Sequence, residues 1–547
     1  MADVDFLAAR ISIGAGPFYL QVSMDRDDPP RADGAQSLAA PAAVPWRADR
    51  LALVFGLVAF VLHALVAGRY DLFRDELYFI VCGRHPAFGY ADQPPIVPLI
   101  SAGLYSLGQS VWILRLPGAL AAGGLAWLAV RFARLLGGDA VASAGAALSV
   151  TLAPMLMGLA ATLNTTTFDP LAWTAIAWCL AYAVKTGDTR VLWLCGAIAG
   201  LDLEIKYSLV FWGVSLAVGL ALTRERRLFA QGPLWGGAAL AAAIAAPSLI
   251  WQAANGFPFL ELAAAARGKN TDIPILAFLL NQAVVMNPLL APVWVSGVIA
   301  PFRVPHLRPY RFLSAAFITC FALVILTHGK DYYLAAGYPV MFVIGAVALA
   351  HWVRSVAGRA VVAAGFVAAA AVSAALAPMA LPVLPVPLLK TYMRQSPIKP
   401  QQQEKSFHGT LLPQVFADQL GWRTFAAQVG EAWAKIPASE RARTSIKVDN
   451  YGEAAALDVY GASSALPPAL SGHNQYFLWG LRGQDPVNLL VVQDHPEHLA
   501  PYCRETTVLA TTSAPDAMSY ENGKAIAYCR GLKVDLRTLW AQLKNYS

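Results

Sequence analysis

The sequence predicts a polytopic α-helical membrane protein of about eleven spans, followed by a soluble α/β domain. Three observations carry this. Of 547 residues, 57% are hydrophobic and only 14% charged, whereas soluble chains are about 25% charged, so the apolar surplus calls for lipid as solvent. The apolar residues concentrate before residue 390 and thin out after it. The basic residues between apolar runs fall on alternate connections, the pattern of a chain oriented by its positive loops.

Residues 1–46 mix Asp, Arg, Pro, Gly and Ala without periodicity, as in MDRDDPPRADG from Met24. This reads as a disordered cytoplasmic tail. A span needs about 20 apolar residues to cross about 30 Å of hydrocarbon. Such stretches run over 51–68, 112–136, 139–160, 168–184, 191–203, 207–222, 233–251, 274–300, 312–327, 333–352 and 360–378.

With the N-terminus inside, the inner connections hold Arg131, Arg134, Lys185, Arg190, Arg224, Arg226, Arg227, Arg303, Arg308, Arg311, Arg354 and Arg359 against Asp139, Asp188 and Glu225. A single span over 191–222 would put the Arg224–Arg227 cluster outside, so two short segments meeting at the LDLEIKY run satisfy the charge rule better. That parity places 69–111, 161–167, 204–206, 252–273, 328–332 and everything after 379 outside. The setting expected is a bacterial-type inner membrane, with the C-terminal domain periplasmic. The net charge of +7 follows from topology; no basic run is interleaved with aromatics, so no nucleic-acid partner is expected.

The first outer segment, 69–111, is long for a connection and dense in Asp, Glu, Arg, His and Tyr. Loops of that length usually carry function. Asp75 and Glu76 open a helix-like stretch, and adjacent helical residues diverge by about 100°, so at most one of them points into a given pocket. Both also read as solvated acids at a helix start. Asp92, followed by Gln93, Pro94 and Pro95, suits an N-cap. Lys206 and Lys330 suit snorkelling positions at span ends, and Tyr332 and Tyr333 suit an aromatic belt.

ArgAspGluLeuTyrPhe at 74–79, TyrAlaAspGlnProPro at 90–95, GlyLeuAspLeuGluIleLysTyr at 200–207 and HisGlyLysAspTyrTyrLeu at 328–334 resemble the protein O-mannosyltransferase and aminoarabinose (lipid A) transferase superfamily of GT-C glycosyltransferases. The resemblance implies transfer of a sugar from a polyprenyl-phosphate donor to a hydroxyl on a lipid, glycan or protein acceptor, with the lipid bilayer as the third partner. It places catalysis on Asp75, followed by Glu76. Arg74, Tyr78, His85, Asp92, Arg115, Lys206, Tyr207, Lys330, Asp331 and Tyr333 become substrate-binding candidates, with the cations Arg74, Arg115, Lys206 and Lys330 available for the departing phosphate.

Two departures stand out. Relatives of the aminoarabinose branch carry a Lys where this chain has Gln93. Some relatives bind a divalent metal through an acid at the position of Asp92 and a His of a later outer loop, but 252–273 contains no His. Glu204 ranks above Asp202 at the helix break, where acids need water or a partner. The rival class is a transporter or flippase of a sugar lipid, yet no related halves with matching interruptions occur.

Beyond a Pro-rich exit, 390–547 reads as mixed α/β. VFADQLGWRTFAAQVGEAWAKI has helical periodicity, while TSIKVDNY, NLLVVQD and KAIAYCRGL read as short strands. The runs at 449–461 and 471–480 resemble the extracytoplasmic domain of one bacterial branch of the same family, which makes Glu453, His473, Asn474 and Trp479 candidates for a sugar or acceptor surface. A helix start and a packed loop are the alternative. Cys503 and Cys529 are expected to pair in an oxidising compartment, with two buried thiols as the alternative.

Overall fold

The computed structural model describes residues 49–269, 274–398 and 410–546, so the predicted tail lies outside the described residues. Helices occupy the predicted apolar stretches. Val111–Leu135, Gly232–Ala254, Pro305–Leu326, Tyr332–Trp352 and Val356–Ala380 are long and apolar enough to cross a bilayer. Others, including Arg50–Ala64, Val191–Leu203 and Leu209–Ala221, are apolar but only 15, 13 and 13 residues long, roughly 20 Å at 1.5 Å per residue. By length and composition the structure thus gives five spans, or six with one bent pair, against about eleven expected.

That bent pair corrects one predicted span. The stretch 274–300 is two helical pieces meeting at 92°, because Asn287 adopts φ +69° immediately before Pro288. The Asn287 amide donates to Ala369 O (2.8 Å) and Ser373 Oγ (2.7 Å), which satisfies the polar group at the break. The stretch 139–160 is likewise divided, with extended Ala153 before Pro154 separating Ala140–Leu152 from Pro154–Leu159, as the residue before proline is pushed out of the helical region. The two short segments expected around LDLEIKY are separate helices, Val191–Leu203 and Leu209–Ala221.

Within the first loop, Arg74–Arg84 and Ile96–Ser106 form two further helices. They pack closely, since a Cβ on Gly83 would lie 2.0 Å from the Pro98 carbonyl.

The C-terminal part holds a four-stranded sheet of β1 (Thr444–Lys447), β2 (Asn488–Gln493), β3 (Cys503–Thr511) and β4 (Ala525–Leu532), in the order β1-β2-β4-β3. β1 and β2 are parallel, and the other pairs are antiparallel. β3 was not expected; its CRETTVLAT sequence is mostly exposed and polar, so it lacks the apolar alternation that betrays a strand. Cys503 and Cys529 form a disulfide joining β3 to β4.

Residues from Arg47 onward form one compact unit, and the reason lies in the core. A hydrophobic cluster joins Leu77, Phe79, Ile80 and Val97 of the first loop to Phe425, Val429, Ala455 and Tyr476 of the C-terminal part. The sheet domain therefore buries its apolar face against the first loop, and the residues between them become the floor of any site there.

Candidate functional site

The Arg74–Arg84 helix starts with two acids that face different ways. Glu76 is fully buried. Its Oε1 accepts from Arg115 Nε (2.9 Å) and Leu163 N–H (2.9 Å), and its Oε2 from Arg115 Nη2 (2.8 Å) and Phe73 N–H (2.8 Å). Arg115 is equally enclosed and also donates to the Ala67 and Asp71 carbonyls. Buried charges persist when paired and hydrogen-bonded, as here. This corrects two expectations: Glu76 has no lone pair left for an acceptor, and Arg115 has no N–H left for a phosphate. Both instead tie the loop helix, the Val111–Leu135 helix and the 160–168 turn together.

Asp75 points the other way, with its side chain 31% exposed. Its Oδ1 accepts a 2.7 Å hydrogen bond from the Tyr451 hydroxyl, and Arg74 Nε lies 3.7 Å away. Arg74 is held in turn by Tyr520 OH (2.7 Å), the Asp418 carboxylate (3.9 Å) and the Tyr451 ring, whose centroid lies 5.2 Å away. The absence of a side chain at Gly452 permits this, because a Cβ there would sit 2.5 Å from Arg74 Cγ. Arg74 thus locks the C-terminal domain to the loop, and its charge is already shared between two carboxylates.

Behind Asp75 lies Asp92. The expected N-cap role does not occur: the Ile96–Ser106 helix has Pro95 at its N-cap and no side-chain cap. Instead Asp92 accepts from Tyr78 OH (2.8 Å) and Asn474 Nδ2 (3.2 Å). Removal of the carboxyl from water pushes its pKa up from 3.8 to about 7, with the nearby Asp75 charge adding to the rise. Tyr78 also stacks near Tyr451, centroids 4.8 Å apart, and Tyr451 meets the His473 ring at 5.0 Å. Among the described residues no group of three or more His, Cys, Asp or Glu could hold a metal ion. Asp92 faces a phenol and an amide, so the donor set does not fit the divalent metal that the family resemblance raised.

A second polar cluster lies beyond the turn that Glu76 holds. Lys206 Nζ donates to Thr166 Oγ1 (2.6 Å), lies 3.8 Å from Asp169 Oδ2 and 5.4 Å from the Tyr333 ring centroid. Asp202 is buried nearby, its carboxylate without a hydrogen bond among the described residues. Glu204 Oε1 accepts from Ser248 N–H at 3.4 Å. Tyr207 packs edge-on against Phe259. Lys330 caps the Asp331–Gly337 turn that carries Tyr333; the Asp331 side chain lies outside the described ones.

Other candidates take different places. Glu453 is fully buried and paired with Lys524 at 2.6 Å, and its Oε2 accepts from the Asp449 and Asn450 N–H groups; it cannot line a sugar surface. His473 and Asn474 are also buried. Trp479 is half-buried against exposed His85, ring centroids 4.9 Å apart. Sequence reasoning missed Tyr451, Thr166 and Asp169. The only signal for Tyr451 was its position within Asn450-x-x-Glu453, a capping box that fixes where its helix starts.

Residues 92–251 match the family model described as dolichyl-phosphate-mannose-protein mannosyltransferase. The structure superimposes on that of ArnT from Cupriavidus metallidurans bound to undecaprenyl phosphate with a TM-score of 0.54 and 16% identity, covering 88% of this chain and 98% of that one. The chain has the GT-C fold of the protein mannosyltransferase and aminoarabinose transferase superfamily. The apo form of the same ArnT aligns with a TM-score of 0.51 and 16% identity over 87% and 97% of the two chains. None of the curated proteins is similar in sequence. Together these findings place the chain among membrane glycosyltransferases. Within this GT-C fold, Asp92, Lys206 and Glu204 fall inside the family match, and Asp75 and the sheet domain fall outside it.

Proposed function

We propose that the chain transfers a sugar from a polyprenyl-phosphate carrier to an acceptor hydroxyl on the outer face of a bacterial-type inner membrane, with Asp75 as general base. The observation that carries this reading is the split fate of the paired acids. Glu76 is saturated with hydrogen bonds, while Asp75 keeps partial exposure and an Oδ2 with no hydrogen bond among the described residues. Tyr451 occupies Oδ1, so the free oxygen faces whatever enters.

The step balances with these groups alone. As the acceptor oxygen bonds to the anomeric carbon, its proton passes to Asp75 Oδ2, and the bond from that carbon to the carrier phosphate breaks. The phosphate leaves with the electron pair and needs no acid. Lys206 supplies fixed positive charge for it, held ready by Thr166; a single fixed donor of this kind is worth about 3 to 4 kcal/mol in known oxyanion sites. Lys330 and Tyr333 adjoin that path.

The acceptor side is formed by the domain at 390–547. The inside-positive charge pattern puts this domain outside, and its disulfide suits an oxidising compartment.

The test is transfer or donor hydrolysis by the purified protein in nanodiscs, using a panel of synthetic polyprenyl-phosphate sugars with Asp75→Asn as control. Turnover that disappears in a folded Asp75→Asn protein supports the reading and names the sugar. Full activity in that variant overturns Asp75 as base. No turnover with any donor, together with movement of a sugar lipid between leaflets, replaces the enzyme by a flippase.

A further inference from the structure

A cavity of about 220 Å³ opens where the far end of the Arg74–Arg84 helix meets the sheet domain. Its walls are charged on one side, by Arg84, His85, Asp458 and Arg482, and apolar on the other, by Leu466 and Pro467. The charges do not cancel evenly. Asp458 Oδ2 is taken by Arg482 Nη1 (2.5 Å) and Tyr476 OH (3.0 Å), and its Oδ1 by Ala469 N–H (3.0 Å). Arg482 is thereby neutralised. Arg84 is exposed, and its one hydrogen bond is a long 3.4 Å contact from Nη1 to the Asp458 carbonyl. A guanidinium carries five N–H donors in a fixed fork suited to phosphate or carboxylate, so most of Arg84 is available to a ligand. His85 beside it adds positive charge when protonated.

We propose that this cavity is a subsite for an anionic saccharide: a sugar ring carrying a phosphate or carboxylate that Arg84 receives. Its volume is below the roughly 300 to 1,000 Å³ typical of drug-sized ligands and suits one ring. The Trp479 indole lies at the edge, with His85 at 4.9 Å and the Arg482 guanidinium at 5.6 Å from its ring, which gives a ring face at hand for a pyranose.

The position says what the saccharide is for. Asp75 and Arg84 lie nine residues apart on one helix, about 14 Å at 1.5 Å per residue. The subsite therefore holds a remote part of the acceptor, while the hydroxyl to be modified sits at Asp75; this inference rests on the transferase reading. One wall belongs to the loop helix and the other to the sheet domain, so the subsite exists only when the two are docked. An acidic glycan or glycolipid headgroup is the acceptor class it selects.

The full chain in nanodiscs is titrated with glucosamine 1-phosphate, glucose and inorganic phosphate, with binding followed by saturation-transfer NMR. The expected result is sugar-phosphate binding at least ten-fold tighter than binding of glucose or of phosphate. Arg84→Gln loses it by ten-fold or more, and Leu466→Glu, which puts a carboxylate into the cavity, abolishes it. Equal binding of glucose, equal binding of inorganic phosphate, or unchanged affinity in both variants overturns the proposal.

Donor hydrolysis and thermal unfolding of the same variants are expected to match the parent, since Arg84 and Leu466 are remote from Asp75. Loss of either shows a structural defect in place of a lost subsite and also counts against it. Failure of the transferase reading shows separately, as donor turnover that persists in Asp75→Asn.

Discussion

The Tyr451 hydroxyl donates a 2.7 Å hydrogen bond to Asp75 Oδ1 across 376 positions of sequence. This one bond makes the sheet domain part of the proposed catalytic centre. It fixes the Asp75 rotamer, leaves Oδ2 for the acceptor and stabilises the charged form of the base. Hydrogen bonds to charged groups contribute about 1.5 to 3 kcal/mol, so Tyr451→Phe is expected to lower kcat by about 10- to 100-fold. KM for the lipid donor should change little. The loss of a donor also raises the Asp75 pKa, so the acidic limb of the kcat profile should move to higher pH, a shift that a mere packing defect would not produce.

Glu76 and Arg115 form the buried counterpart. Removing one member of a buried, hydrogen-bonded ion pair typically costs about 3 to 5 kcal/mol, while replacing both with apolar residues costs much less. Glu76→Leu would also strand the Leu163 and Phe73 N–H groups. Either single variant, Glu76→Leu or Arg115→Met, should lower the thermal unfolding midpoint in detergent substantially. The double variant should recover part of the loss. Additive losses would show that the pair is not the unit holding the loop.

Why the sequence revealed Asp75 but not its partner follows from range. Long apolar runs such as Gly232–Ala254 and Val356–Ala380 announce themselves within a window of some twenty residues, and so does the acid pair after the first apolar stretch. The bend at Asn287 depends on a positive φ and on Ala369 and Ser373, 82 and 86 positions away. No local pattern carries that. Glu76 and Asp75 are neighbours of identical chemistry, and only the turn at Leu163 and the Arg115 side chain decide which one is buried. The same holds for Asp92, whose flanking prolines fit a helix cap until Tyr78 and Asn474 claim its oxygens.

The Cys503–Cys529 disulfide closes a loop of 26 positions. By the chain-entropy relation a loop of this size stabilises by about 3 kcal/mol. Reduction, or Cys529→Ala with Cys503→Ala, should destabilise the sheet domain by about that amount. Limited proteolysis is the suitable readout, because cleavage within 390–547 should accelerate while the membrane helices stay intact. If the docked first loop, which shares a core with this domain, holds it without the bridge, cleavage will not change.

Asp92 gives the protein a pH dependence of definite sign. Its carboxyl titrates near 7 in the folded chain against 3.8 for the ordinary group. The folded state therefore binds the proton more tightly than the unfolded state. Stability from this site is fully present below about pH 4 and is lost as pH rises towards 7, after which the loss levels off. One pKa unit is worth about 1.4 kcal/mol, and Asp92 retains partial exposure, so a loss on the order of 2 kcal/mol is expected. Asp92→Asn mimics the neutral acid. Its amide oxygen can still accept from Tyr78, and its NH2 can donate to Asn474 Oδ1, which is buried without a partner among the described residues. The variant should match the parent near pH 4 and melt at a higher temperature at pH 8. Parallel melting curves for the two proteins from pH 4 to 8 would mean that Asp92 keeps an ordinary pKa and that the Tyr78 and Asn474 contacts only hold a charged carboxylate in place.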